Sequence, residues 1–482
     1  MDATRFHVEE VRFAERNVTL RLPFRFGAAT VTACPQVYVK ARIRFADGRT
    51  AEGCAAEMMV PKWFDKNPAL TNEQNFEQLR FALRDAREAY TAEPDAQTAW
   101  THFASNYAAL QSRAKAKGLQ PLVASYGPAL IDRALLDALC LHHGVSFATG
   151  MSTNLVGIDI AGSGLADDLA GFDMPAFLAK QSPRTRIAAR HTVGLADAID
   201  EMDASEALTD APQDGLPTTL AAAVQRYGLT HFKLKLCGNT AQDIDRLQRI
   251  ARVIDGHAQL VTLDGNEQYA DADDFAVFLD RMLSTPVLWK LAQKTVFVEQ
   301  PIRRDAALQR DVSALGKRMP LLVDESDATL DAFVQARALG YTGVSSKSCK
   351  GFYKSVVNAA RCAHWNANEQ KQPSSRFFLS GEDLTMQAGL GVQQDLALVA
   401  WLGLSHVERN GHHYVNGLAA APQDEQQAVL RLHPGLYELS EGAVRLAIRD
   451  GQIDLSSLVA APGFATGRPG AGISWDAMRS VY

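Results

Sequence analysis

Between His231 and Gly351 the chain repeats one pattern five times: a short apolar run that ends in ionisable residues, then a segment long enough for one helix. The runs close on Lys233 and Lys235, on Asp264 and Asn266, on Glu299, on Asp324 and on Lys347. Alternating strand-like runs and helical segments is how a parallel barrel reads. The strand period of two decides which way each side chain points. Lys233 and Lys235 share one face, and Phe232, Leu234 and Leu236 share the other; Thr262, Asp264 and Asn266 align, as do Phe297 with Glu299 and Leu322 with Asp324. In a (β/α)8 barrel the C-terminal strand ends form the active-site mouth, so polar residues there read as catalytic.

Three carboxylates on successive strands, Asp264, Glu299 and Asp324, repel one another unless a cation sits among them, and an all-oxygen set suits a hard divalent ion such as Mg2+. The lysines flank this trio in sequence. A lysine close to a divalent cation and a second lysine has its charged form disfavoured, so its pKa is expected to fall toward the working pH, where it acts as a base. The competing reading is an unmetallated polar layer in which lysines pair with the same carboxylates.

The set Lys233-x-Lys235, Asp264-x-Asn266, Glu299-Gln-Pro, Asp324-Glu-Ser and Lys347 resembles the enolase superfamily, and within it the muconate lactonizing enzyme-like branch of the mandelate racemase group. The resemblance implies one Mg2+ held by Asp264, Glu299 and Asp324. It places Lys235 and Lys347 on opposite faces of a small-molecule carboxylate substrate, with Lys233 auxiliary. It implies a first step that removes the proton α to the carboxylate, giving an enediolate. It also implies a fold: a TIM-type barrel and an α+β capping domain formed by the N-terminal region and completed by C-terminal residues. Two departures bear on substrate. The eighth strand lacks the Asp-x-Asp of the dipeptide epimerases, and the barrel shows no strand-end His with an Asp one strand earlier, as in mandelate racemase-like enzymes.

Composition narrows the rest. The chain has 482 residues, 47% hydrophobic and 22% charged, enough for two or three domains. A formal charge of −6 without a basic run gives no footprint for nucleic acid. Six scattered cysteines fit a reducing compartment, and neither a leader pattern nor a membrane-length apolar run is evident, so a cytoplasmic enzyme with no membrane partner is expected, assembled as a homo-oligomer.

The organisation expected is a capping domain over 1–148, a barrel over 149–418 whose first part, 149–185, is an insertion or linker, and a segment over 419–482 that returns to the cap. Val37 to Phe45 alternates as a half-buried strand and turns back at Asp47-Gly48 toward Thr50 to Met58, and the periodicity becomes helical from Asn72 to His143. Two irregular stretches, 23–30 and 58–66, fall where the family's closing loops belong. Arg25 is the candidate for a distal anionic group of the substrate, and Trp63 with Phe64 for excluding water. Asn266, aligned with Asp264, and Glu382, after the seventh run, complete the substrate-binding candidates; Glu382 reads equally as a helix cap. By parity Lys350 points away from Lys347 unless the strand has ended. His412 and His413 could line the mouth but, adjacent in a Gly-bounded loop, read first as solvated, and Cys349 reads as a packing residue.

The function this implies is Mg2+-dependent α-proton abstraction with a Lys/Lys acid-base pair, leading to cycloisomerisation, racemisation, epimerisation or β-elimination. An acid-sugar dehydratase of the same superfamily is the alternative. A Schiff-base aldolase and a barrel without turnover stand further off.

Overall fold

The structure, a computed structural model, describes residues 3–203, 212–369 and 376–481. Eight parallel strands close a barrel in sequence order: β4 (Arg186–Val193), β5 (His231–Lys235), β6 (Leu260–Asp264), β7 (Thr295–Glu299), β8 (Leu321–Val323), β9 (Gly343–Ser346), β10 (Phe378–Gly381) and β11 (His406–Arg409). Pairing of β11 with β4 completes the ring. Register sets Lys235 opposite Asp264 and Asp264 opposite Glu299, so three ionisable residues stand at one level of the mouth. The outward residues of these strands, such as Phe232, Leu234, Val261 and Leu263, are buried against the outer helices.

Before the barrel stands an antiparallel sheet of β1 (Phe6–Phe26), β2 (Ala29–Phe45) and β3 (Thr50–Met58), packed on three helices. Helix α1 (Asn72–Thr91) begins at a capping box, in which Thr71 accepts from the Gln74 amide and the Gln74 side chain accepts from the Thr71 amide. Its Phe76, Leu79, Leu83, Ala86 and Tyr90 recur at helical spacing and are buried. Helix α2 (Ala99–Ala116) and the largely buried α3 (Pro121–His143) follow. Gly53 lets β3 lie against α3: a Cβ there would meet the Ala134 carbonyl oxygen at 2.2 Å. Residues 149–185 form short helices, and Asp168 there ties back to Arg361 on a barrel helix at 2.8 Å.

The C-terminal segment serves both parts. A hairpin of β12 (Tyr437–Ser440) and β13 (Ala443–Leu446) precedes β14 (Gln452–Asp454), which pairs antiparallel with the start of β4. The last strand, β15 (Arg479–Val481), adds to the cap sheet beside Phe13–Glu15. Asp137 of α3 anchors this return by accepting from the amides of Cys54 (2.8 Å) and Phe464 (2.7 Å) and from the Thr466 hydroxyl. Burial pushes its carboxyl up to about 7 although all three partners favour the charged form. The folded protein therefore holds that proton more tightly than the unfolded chain. Its contribution to stability is full below about pH 4, falls as pH rises toward 7, and is flat above. Asp137→Asn, with no proton to lose, is expected to remove that part of the slope in urea midpoints measured from pH 4 to 8. Equal slopes in the two proteins would sink the assignment.

Candidate active site

The barrel interior gathers the acidic residues that the sequence singles out. Asp264 and Glu299 end β6 and β7, Asp324 follows β8, and all three are fully buried. The cations they meet are lysines. Lys235 Nζ donates to Asp264 Oδ2 at 2.6 Å, and Lys347 pairs with Asp324. Lys233, one layer deeper, lies 2.9 Å from Asp264, 2.6 Å from Glu299, 2.7 Å from Glu382 and 3.0 Å from Glu408. Burial alone would lower Lys347, but Asp324 and Glu299 outweigh it and hold its ammonium above the ordinary value. In return, against the upward push of burial, Lys347 and Lys350 hold Asp324 low, and Lys233 and Lys235 do the same for Asp264.

Among the described residues no three His, Cys, Asp or Glu side chains converge as ligands would in this arrangement. The donor chemistry nevertheless fits a hard divalent ion. The trio offers oxygen only, and neither carboxylate oxygen of Glu299 makes a hydrogen bond. Burial, with Asp264 and Glu382 nearby, pushes that carboxyl well above its usual range. Lys233 at 2.6 Å is shared with three other carboxylates, and a carboxylate so crowded by like charge is the group a further cation would stabilise most.

Gln300, which sequence reasoning passed over, positions Asp324. Its Oε1 accepts from the amides of Asp324 (2.9 Å) and Ser326 (3.1 Å), and its Nε2 donates to Ser326 Oγ and the Ile302 carbonyl. Asn266, Glu267 and Gln300 all take positive φ directly after the acidic strand ends, a costly conformation for such side chains that concentrates at functional sites.

The mouth is closed by the cap. Trp63 lies over Lys347, with Nζ 4.5 Å from the ring centroid, and Phe24 faces Lys235 at 5.9 Å. With Phe26, Leu384 and Asn266 they leave a cavity of about 10 Å3, room for one water. Arg25 does not reach it. Alternation along β1 turns Phe24 and Phe26 inward and leaves Arg25 exposed, so aromatic rings, not a guanidinium, meet the mouth. The Trp63 loop is latched from below. Arg304 donates to the carbonyls of Trp63 (3.0 Å) and Phe64 (3.2 Å) while paired with Glu267, and Lys66 reaches the Asn266 carbonyl at 2.8 Å and Glu267. Hydrogen bonds to charged groups contribute about 1.5–3 kcal/mol each. Arg304→Met is therefore expected to speed amide exchange across 59–66 by at least about tenfold; unchanged exchange there would refute the latch.

Glu382 lies inside the barrel, paired with Arg190 and Lys233, rather than capping a helix. Glu408 was missed, yet period two applied to His406–Arg409 would have turned it inward. It accepts from Thr192 Oγ1 at 2.5 Å, Asn410 Nδ2 at 3.0 Å and the Asp383 amide at 2.9 Å, and the lysines hold it well below the carboxylate range against burial. Lys350 also returns to the interior, because β9 ends at Ser346 and a tight turn carries it to Asp327 and Ser345 Oγ, both at 2.7 Å. His412 and His413 are buried, not solvated. Their short helix, Gly411–Tyr414, lies under β1, with Phe24 and Tyr414 centroids 4.5 Å apart, and His191 bonds His412 at 2.9 Å. Cys349 is buried and its thiol is pushed well above the ordinary value by burial.

The sequence has no significant match among curated proteins. Solved structures share the fold over nearly the whole chain. An enolase from Bradyrhizobium complexed with magnesium and mandelic acid superposes with a TM-score of 0.60 at 14% identity, covering 100% of both chains. The muconate lactonizing enzyme from Pseudomonas fluorescens complexed with muconolactone gives 0.56 at 18%, covering 95% of this chain and 96% of that one. A dipeptide epimerase from Methylococcus capsulatus, complexed with Mg and the dipeptide L-Arg-D-Lys, gives 0.53 at 17%, covering 93% and 99%. The enolase C-terminal domain-like family matches residues 217–478, more than half the chain and every barrel strand from β5 to β11. With that match over more than half of its length, the chain belongs to the enolase superfamily, as a member of the enolase C-terminal domain-like family.

Proposed function

We propose that this protein is a Mg2+-dependent isomerase or lyase that removes the proton α to a carboxylate, with Lys235 and Lys347 as the acid-base pair. The carrying observation is that the two lysines arise four strands apart on the ring and flank a buried layer of Asp264, Glu299 and Asp324. These three would hold the ion. When bound, Mg2+ supplies Lewis-acid polarisation of the substrate carboxylate, which acidifies the neighbouring C–H. One lysine as free amine takes the α-proton, and the opposite ammonium stabilises the charge that develops or returns a proton to the other face. Trp63 and Phe24 exclude water, and the Arg304 latch sets how readily the cap admits substrate.

In this reading residues 1–148 are the cap, 149–418 the barrel with 149–185 as its insertion, and 419–482 the segment that returns to the cap. Structures of like fold complexed with mandelic acid, muconolactone and a dipeptide support a carboxylic acid substrate. Phe24, Phe26, Trp63 and Leu384 form the apolar side of the mouth opposite Lys235, Lys347, Asn266, Asp383 and Glu408, and we take an acid with an apolar body as the first substrate class to test, with a sugar acid as the alternative. A library of N-acyl amino acids, dipeptides, lactones, aryl acids and acid sugars in D2O with Mg2+ tests this. The expected result is deuterium uptake at the α-carbon of an apolar acid, abolished by EDTA. Turnover that survives EDTA and is trapped by borohydride would assign Schiff-base chemistry instead.

A further inference from the structure

Behind the mouth, between the Gly411–Tyr414 helix, the loop after β10 and the β12–β13 hairpin, lies a second cavity of about 30 Å3, room for about two waters or one monoatomic ion. Arg409, Arg445 and His412 line it, with Met386, Val392 and Val415 as apolar wall. The arginines are 1% and 7% exposed and the histidine 8%. Each has one buried nitrogen without a partner: Nη1 of Arg409, Nη1 of Arg445 and Nδ1 of His412.

Charge makes the site asymmetric. Arg409 is matched by Asp395, with Asp383 at 3.4 Å. Arg445 is not: it donates only to the neutral Ser440 carbonyl (3.0 Å) and to Asn416 Oδ1, and among the described residues no carboxylate stands within ion-pair distance of it. The acidic residue on the cavity wall, Glu438, is taken by Arg449 at 2.8 Å, and Arg226 on the same wall is taken by Glu441 at 3.1 Å. Asp214 and Glu441 act on Arg445 only from longer range; a buried guanidinium without a carboxylate in contact is expensive, and an anion against it removes much of that cost.

We propose that this cavity is a binding site for a monoatomic anion of chloride size, held by the free Nη1 groups of Arg409 and Arg445, with His412 as third donor in its Nδ1–H tautomer. Arg409 directly follows Glu408, so an ion there braces the ends of β10 and β11 from outside the barrel. The site is independent of the acid-base chemistry proposed above and stands or falls separately from it.

Crystals of the full chain grown without chloride and soaked in sodium bromide test the geometry. An anomalous peak within hydrogen-bond reach of both Nη1 atoms is expected. In solution, replacing gluconate by chloride or bromide at constant ionic strength should raise the melting temperature on the order of 2 °C. Arg445→Met should erase that rise; if it does not fold, Arg445→Lys, which lacks the free Nη1, takes its place. No anomalous peak, or a halide response that survives the Arg445 variant, overturns the proposal. So does a bromide peak without any halide dependence of melting, which would mark an adventitious ion only.

Discussion

Glu299→Gln is expected to lower turnover by about a thousandfold or more, the loss of several kcal/mol of metal-assisted stabilisation, while leaving the protein as stable as before or more so. The second half of this prediction comes from the structure. Both oxygens of Glu299 lack hydrogen bonds in a fully buried layer that already holds Asp264, Asp324 and Glu382. A neutral amide there relieves repulsion among the crowded carboxylates, and although Lys233 gives up its 2.6 Å ion pair with Glu299 it keeps three other carboxylates. Asp324→Asn should lose activity equally but lose stability as well, by about 3–5 kcal/mol, because Lys347 would be left without its ionised partner, whereas Lys350 keeps Asp327. Thermal melts set against Mn2+ titration followed by EPR distinguish the two. Glu299→Gln that still binds Mn2+ as tightly as the parent would remove it from the metal assignment.

Lys235→Ala and Lys347→Ala should each cost two to four orders of magnitude in turnover, the usual contribution of a positioned acid or base. They should differ in what survives. With one lysine on each side of the substrate, the variant that keeps the abstracting lysine should still exchange the α-proton of one enantiomer with D2O. The other variant should exchange only the opposite enantiomer, or none. Proton NMR of both enantiomers in D2O reads this directly, and full turnover in both variants would end the two-lysine mechanism. Melting should respond less in Lys235→Ala than in Lys347→Ala. Asp264 keeps Lys233 when Lys235 is lost, whereas Asp324 falls back on Lys350 at 3.6 Å.

The barrel was legible because it rests on local rules. Apolar runs separated by helix-length segments give strand and helix, and period two then sets the facing of Lys235, Asp264, Glu299 and Asp324 without knowledge of any neighbour. The same rule, applied to β1 and β11, would have turned Phe24 inward and Arg25 outward and would have found Glu408. Those errors came from reading residue type before parity. Lys350 is a different case. Its place depends on where β9 stops, and the stop at Ser346 is not marked by any breaker in the sequence.

Sequence by itself determined the order of the barrel strands and the identity of the acidic and basic strand ends, since each follows from spacing along a few residues, and the resemblance of those motifs pointed to the superfamily. Only the tertiary structure decided what these groups touch. Lys233 meets carboxylates from four strands, the most distant 175 positions away. His412 is buried because β1, nearly 400 residues earlier, lies across its helix. Arg445 has no carboxylate in ion-pair contact because the hairpin's acids are drawn off, Glu438 to Arg449 and Glu441 to Arg226. Contacts of that range are fixed by barrel register and by docking of the cap, and the chain's local pattern encodes neither.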